Sequence, residues 1–387
     1  MSSQKKVVAL PKIGRIASLD LMRGWFLVVI ILDHLSYFPN GLSFISGDSR
    51  LFVSAAEGFF LISGLVLGIV RGAKLVDQPF ALVTKKLLSR SFALYLTSIT
   101  ITAISILIGW YFVGNDGVKS PLPTPWSDIP SLIWRIITFQ EFYGWADYLR
   151  LYSLFLLFSP AFMWLLRKGR WYIALGCSIA VWFFAPHPTT PMTQPFTWQI
   201  LFFIALTIGF YLPQLVRFWQ RLSKKTQAII TYTLMSVFVM TLAANIISEF
   251  VTPVMSGSIT QHVNEVHRWV TPYMSKLDMP LPRIILSLVW FMGFFVLFRR
   301  FEKQITRWLG WLLIPFGTHS LYVYSLHAFV IMGMHLILNP QYGAPASYFN
   351  SFDRVGEIPL NFFMSILAIS IIYIALKKKF LINIIPK

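Results

Sequence analysis

Residues 16–37 read IASLDLMRGWFLVVIILDHLSY, and this stretch decides the class of the protein. As a helix it is long enough to cross the ~30 Å hydrocarbon layer of a bilayer, which takes about 20 residues. It nevertheless carries Asp20, Arg23, Asp33 and His34. On insertion scales a central Asp or Arg costs about 2.5–3.5 kcal/mol. Asp20 can sit at the interface, but Arg23 and Asp33 cannot both do so. A helix that keeps them faces polar partners or a polar cavity inside a bundle.

Apolar runs of this length recur along the 387 residues, of which 56% are hydrophobic and only 12% charged. A soluble domain is about a quarter charged because its surface must face water, so this chain is excluded from that class. Spans are expected at 16–37, 51–70, 91–113, 148–166, 171–185, 197–216, 227–248, 283–298, 312–337 and 358–376. The expected fold is all-α, a polytopic integral membrane protein with about ten transmembrane helices, because backbone groups in lipid need partners within their own segment. A β-barrel would show short alternating segments instead. Breakers such as Pro121, Pro123, Pro125, Pro186, Pro188, Pro280 and Pro282 fall between the runs. No internal repeat suggests the inverted halves of many transporters. Residues 1–387 read as one membrane-embedded domain with tails at 1–15 and 377–387.

Most of the 33 basic residues lie at one set of span ends: Lys5 to Arg15, Arg71 to Arg90, Arg167 to Arg170, Arg217 to Lys225, Arg299 to Arg307, and Lys377 to Lys387. Most acids, among them Asp48, Asp116, Asp128, Asp147, Glu265, Asp353 and Glu357, lie at the other. The positive-inside rule puts the basic ends and both termini in the cytoplasm. The net charge of +18 then marks contact with anionic lipid, not nucleic acid. The first apolar stretch is too long and too charged for a cleaved signal peptide. The single cysteine, Cys177, supports neither a disulfide nor a cysteine metal site.

Polar residues at membrane depth are the candidates for function. Arg23 and His34 are eleven residues apart, which puts them within about 20° of one helical face and roughly 16 Å apart along the axis. Such a pair suits a polar channel, the Arg gripping an anion and the His doing chemistry near the outer face. It also suits a snorkelling Arg and a His bonded to a neighbouring helix. In Ala55-Ala56-Glu57 to Ser63-Gly64, the carboxylate of Glu57 lies at outer depth, where it can orient His34 or sit at the water boundary. Gly64 and Gly68 make a face for close helix packing. Ser320, Tyr324 and His327 fall on one helical stripe.

The Arg23-x10-His34 pair, Phe59-Phe60-Leu-Ile-Ser63-Gly64 and Ser320-x3-Tyr324-x2-His327 resemble the motifs of the membrane acyltransferase-3 superfamily. With Leu151-Tyr152, Pro160 and the Pro195-Phe-Thr-Trp198-Gln199 stretch, they resemble most closely its OpgC branch, the glucan succinyltransferases. The resemblance implies a ten-helix enzyme in the bacterial cytoplasmic (inner) membrane. It would pass an acyl group from cytoplasmic acyl-CoA to a hydroxyl of an extracytoplasmic polysaccharide such as a periplasmic glucan. Succinyl-CoA is the implied donor and acetyl-CoA the alternative; acyl-CoA is a substrate, and no bound cofactor is expected. By position, His34 would be the essential histidine, with Arg23 at the CoA end and Ser63 and Glu57 beside the tunnel.

A neutral His can take the proton of a poorly nucleophilic sugar hydroxyl or carry the acyl group itself. Tyr324, His327 and Ser63 are candidate donors to the oxyanion. Asp33, adjacent to His34, points away from it along the helix, so Glu57 is the better candidate to orient the ring. Trp198 and Gln199 can offer a sugar platform, or Trp198 can belong to the interface aromatic belt, and Arg150 can partner a second carboxylate. His262, Glu265 and His267 lack metal-site spacing, and no metal is expected. The rival class is a transporter of an anionic metabolite, which would use the same polar tunnel.

Overall fold

The computed structural model describes residues 14–115, 117, 128–251, 258–339 and 356–382. Most of the 1–15 tail, the end of the 377–387 tail, Asp116, Asp353, Pro121, Pro123 and Pro125 lie outside them. The described chain is helical, with no strand. Its helices are α1 (Ala17–Leu35), α2 (Ala55–Leu67), α3 (Phe80–Tyr111), α4 (Ile129–Ile137), α5 (Asp147–Arg167), α6 (Trp171–Phe183) and α7 (Gln194–Phe210). There follow α8 (Leu212–Arg221), α9 (Lys224–Ile246), α10 (Ser258–Val270), α11 (Leu281–Arg300), α12 (Glu302–Thr318), α13 (Ser320–Ile337) and α14 (Ile358–Lys377).

Seven helices are long and apolar enough to cross a bilayer, or eight if α7 and α8, bent by 66°, make one broken span. The sequence suggests about ten, and the difference has physical causes. The 19 residues of α1 hold Asp20, Arg23 and Asp33, more charge than an ordinary span carries. At 13 residues, α6 is too short to cross alone. The run expected as one span at 312–337 divides at His319 (φ −114°, ψ 38°) into α12 and α13.

Small residues set the helix spacing. Cβ atoms added at Gly64 and Gly68 would strike the Phe202 and Leu206 carbonyls, and one at Gly209 the Leu65 carbonyl. So α2 and α7 run side by side in the same direction with backbones nearly touching, as the small-residue face requires. The same device joins α1 to α12: a Cβ at Gly24 would meet the Leu313 carbonyl, and one at Gly317 the Asp20 carbonyl. Ten residues beyond Gly24 stands His34; ten beyond Gly317 stands His327. The pairs Gly24–Leu313 and Gly317–Asp20 run in opposite senses, so α12 packs antiparallel to α1. The break at His319 then turns the chain into α13, which brings His327 to His34.

The basic ends gather at one end of the bundle. Arg167 donates to the Leu75 and Gln78 carbonyls, and the Tyr211 hydroxyl to the Leu166 carbonyl at 3.2 Å. There Arg15 pairs with Asp20 at 2.6 Å, an interfacial position for that acid.

Gly317→Ala should therefore push α12 off α1 and cost about 1–3 kcal/mol, as overpacking does. Thermal unfolding in detergent reads this directly; an unchanged midpoint would show that the two helices separate freely.

Candidate functional site

At the end opposite the basic cluster, α1 and α13 bring two imidazoles together. His34 Nδ1 lies 3.0 Å from His327 Nε2, with the rings stacked at 5.2 Å between centroids. The indole of Trp145 covers the His34 ring at 4.6 Å. His327 is buried, and its Nδ1 contacts the carbonyl of Tyr324 one turn earlier. A carbonyl only accepts, so that nitrogen carries the proton. In the neutral ring Nε2 then presents a lone pair, which takes Nδ1–H of His34. The second nitrogen of His34 is left with its own lone pair and makes no hydrogen bond among the described residues. The arrangement is a base whose tautomer is dictated by a second histidine and a backbone carbonyl.

A polar and aromatic column runs from this pair toward the basic end. The Tyr324 hydroxyl accepts the Tyr148 amide N–H at 3.3 Å. The Tyr148 hydroxyl meets Ser63 Oγ at 2.6 Å. The rings of Phe59, Phe60 and Tyr152 pack around Tyr148 at 4.4–5.4 Å. Below stands Arg23, whose Nε is shielded from solvent and unbonded. Its charge is felt by Tyr148, Tyr152, Asp20 and Arg90. Arg90 Nε is likewise buried without a partner. Neither guanidinium makes a hydrogen bond or ion pair among the described residues. Two neighbouring cations without a hydrogen-bonded partner thus stand at the basic end of a polar column, and the planar fork of Arg suits phosphate.

The structure thus brings together His34, His327, Tyr324, Ser63 and, at the far end, Arg23. The remaining expected site residues lie elsewhere. Glu57 does not reach His34: fully buried, it accepts from Arg283 Nε at 2.8 Å and from the Ser54 amide at 3.1 Å. That pairing neutralises it against α11. Asp33 accepts from the Ser49 amide at 3.2 Å and so fastens the loop after α1 instead of the imidazole. Trp198 is buried, its Nε1 donating to the Lys276 carbonyl at 3.0 Å, which leaves no open face for a sugar. The Gln199 amide is consumed by Ser178, accepting its hydroxyl at 2.6 Å and donating to its carbonyl at 2.8 Å. Arg150 is bound to Asp147 at 2.6 Å and the Pro191 carbonyl at 2.7 Å, and stacks over Phe142 at 3.8 Å. Its guanidinium is occupied.

Sequence reasoning missed Arg90, Trp145, Tyr148 and Arg283. A signal existed for Arg283, which opens an apolar run just as Arg23 interrupts one. Arg90 reads as one more cytoplasmic cation, because nothing local marks it as half-buried with its Nε shielded from solvent.

The fold is that of a helical membrane protein, and the family match supplies the class, a membrane enzyme of acyltransferase type. A family model described as OpgC protein matches residues 15–376, and the chain belongs to that family. No curated protein and no solved structure matches the chain.

The Glu57–Arg283 pair yields a direct test. Arg283→Met leaves a carboxylate buried and unpaired and should cost about 3–5 kcal/mol. Adding Glu57→Gln should recover part of that loss. Unfolding midpoints of the two variants in detergent decide it: equal midpoints would mean that the pair does not hold α2 to α11.

Proposed function

We propose that this protein transfers an acyl group, succinyl with acetyl as the alternative, from acyl-CoA to a hydroxyl of an extracytoplasmic glycan such as a periplasmic glucan. In this reading it works in the bacterial cytoplasmic membrane, with the basic ends and both termini on the cytoplasmic side. The observation that carries it is an unbonded imidazole nitrogen at one end of the column and, at the other, two arginines that make no hydrogen bond or ion pair among the described residues.

Arg23 and Arg90 would hold the phosphates of CoA. The pantetheine arm would follow the column, which along α1 spans roughly 16 Å, and bring the thioester to His34. The free nitrogen of His34 takes the proton from the sugar hydroxyl as its oxygen bonds to the thioester carbon. The oxyanion is met by nearby donors, the Tyr324 hydroxyl being the candidate. The intermediate collapses with loss of CoA thiolate, which recovers the proton from the imidazolium. Oxygen–acyl and sulfur–hydrogen bonds form; sulfur–acyl and oxygen–hydrogen bonds break. Direct transfer suits this arrangement, because the second histidine stabilises a protonated His34 and so favours a base over an acyl carrier.

Mass spectrometry of extracytoplasmic glycans checks the reading in cells producing matched amounts of wild type, His34→Ala or neither. An acyl mass should appear with wild type alone, with transfer lowered about 10²–10⁴-fold in the variant, the usual weight of general-base catalysis. Equal modification by both would remove His34 from the chemistry.

For purified protein, Arg23→Met should raise KM for the CoA thioester about tenfold, as loss of a charge-assisted contact does, while kcat changes little. A fall in kcat at constant KM would instead place Arg23 away from the donor.

A further inference from the structure

With Arg150 occupied, the cation facing the histidine end must come from elsewhere, and the loop ahead of α11 supplies one. Residues 274–279 are fastened from three sides. Trp198 Nε1 donates to the Lys276 carbonyl at 3.0 Å, Thr197 Oγ1 to the Leu277 carbonyl at 2.7 Å, and Trp182 Nε1 to the Met279 carbonyl at 2.9 Å. Arg283 donates to the Met274 carbonyl. Asp278 accepts the Ser275 hydroxyl at 2.6 Å and the Thr189 amide at 3.0 Å. Those bonds, the Ser275 hydroxyl first, hold its carboxyl down to about 2, so it stays ionised and the loop stays fastened at any physiological pH.

Every neighbour of Lys276 is thus tied down, while its own ammonium makes no hydrogen bond or ion pair among the described residues. The side chain is exposed, lining an outer cavity of about 300 Å³ with Ser49, Arg50, Glu249, His267 and Arg283. Ser49 is the residue whose amide binds Asp33, so this cavity abuts the end of α1 that carries His34. The Lys276 charge acts on Asp33, His34 and Asp147, groups on two helices. Both carboxylates have other partners: Asp33 the Ser49 amide, Asp147 the Arg150 guanidinium. Of the other cations lining the cavity, Arg283 is committed to Glu57 and Arg50 donates to the Glu249 carbonyl at 3.3 Å.

We propose that Lys276 is the specificity-determining residue for a dicarboxylic acyl donor, its ammonium receiving the distal carboxylate of a succinyl group whose thioester carbonyl lies at His34. The proposal deepens the acyltransferase reading and rests on it. An acetyl group has no second carboxylate and gains nothing from Lys276, whereas a succinyl group without a counter-charge would carry its anion into the site unpaired. Discrimination then comes from one charge-assisted contact. The fastened loop supplies that contact at little ordering cost, and the long lysine stem reaches from it over the cavity.

Full-length protein in nanodiscs, given equimolar succinyl-CoA and acetyl-CoA and glycans extracted from cells lacking it, provides the test. The two acyl masses on the glycan are counted. In Lys276→Met the succinyl-to-acetyl ratio should fall about tenfold or more, the scale of a hydrogen bond to a charged group, and Lys276→Arg should restore most of it. A ratio unchanged in Lys276→Met, both products falling in proportion, or a wild type that transfers acetyl alone would each overturn the proposal. Transfer of neither group by wild type would overturn the acyltransferase reading itself, and Lys276's role with it. Because Lys276 is exposed, substitution there does not disturb packing.

Discussion

The site depends on two backbones that touch. Gly24 of α1 and Gly317 of α12 each lie against the other helix's carbonyls, and nothing larger than hydrogen fits between. Close approach of this kind is how helices associate where the hydrophobic effect is absent, by dispersion and close-packed backbones. The helices run antiparallel there, Gly24 against Leu313 and Gly317 against Asp20, so the contact fixes where α12 ends against α1 and where α13 begins. Ten residues further along each chain segment stands a histidine, and the two rings meet at 3.0 Å. The break at His319 turns the chain out of α12 into α13, and α13 carries His327 to His34.

Charge on the rest of the bundle follows one rule: an ionised group at depth either has a partner or faces the column. Glu57 and Arg283 are buried together, and Arg150 is closed by Asp147. The first pair holds α2 to α11, while the second lies within α5. Arg23 and Arg90 break the pattern, and they do so side by side. Cations inside a membrane protein without a bonded partner are expensive, which is why the proposed function rests on them and not on the more numerous bonded charges.

The class and the helical fold were legible because apolar runs and charge asymmetry are local, additive properties of a sequence. Arg23, His34 and His327 were legible too, since each is a polar residue where lipid forbids one. What could not be read was which polar residue meets which. Glu57 was expected beside His34, yet the only difference between that partner and Arg283 is how α2, α1 and α11 pack, and no spacing within a segment encodes it. Trp198, Gln199 and Arg150 looked available because their types bind sugars and carboxylates. Their donors were in fact spent on the Lys276 carbonyl, on Ser178 and on Asp147. The division at His319 was hidden because the apolar run continues through it.

The histidine pair has a further consequence for how a proton relay can be kept inside a membrane protein. In a serine-hydrolase arrangement the far member is an aspartate, a full negative charge that must itself be housed. Here the far member is the carbonyl of Tyr324, a dipole belonging to the helix. When His34 gains a proton, its Nδ1–H becomes more acidic and tightens on His327, and the polarised carbonyl takes up part of the displaced charge. The relay therefore changes its total charge by one proton and contains no permanent ion. In the proposed reaction it rests electrically neutral between turnovers, which suits hydrocarbon surroundings.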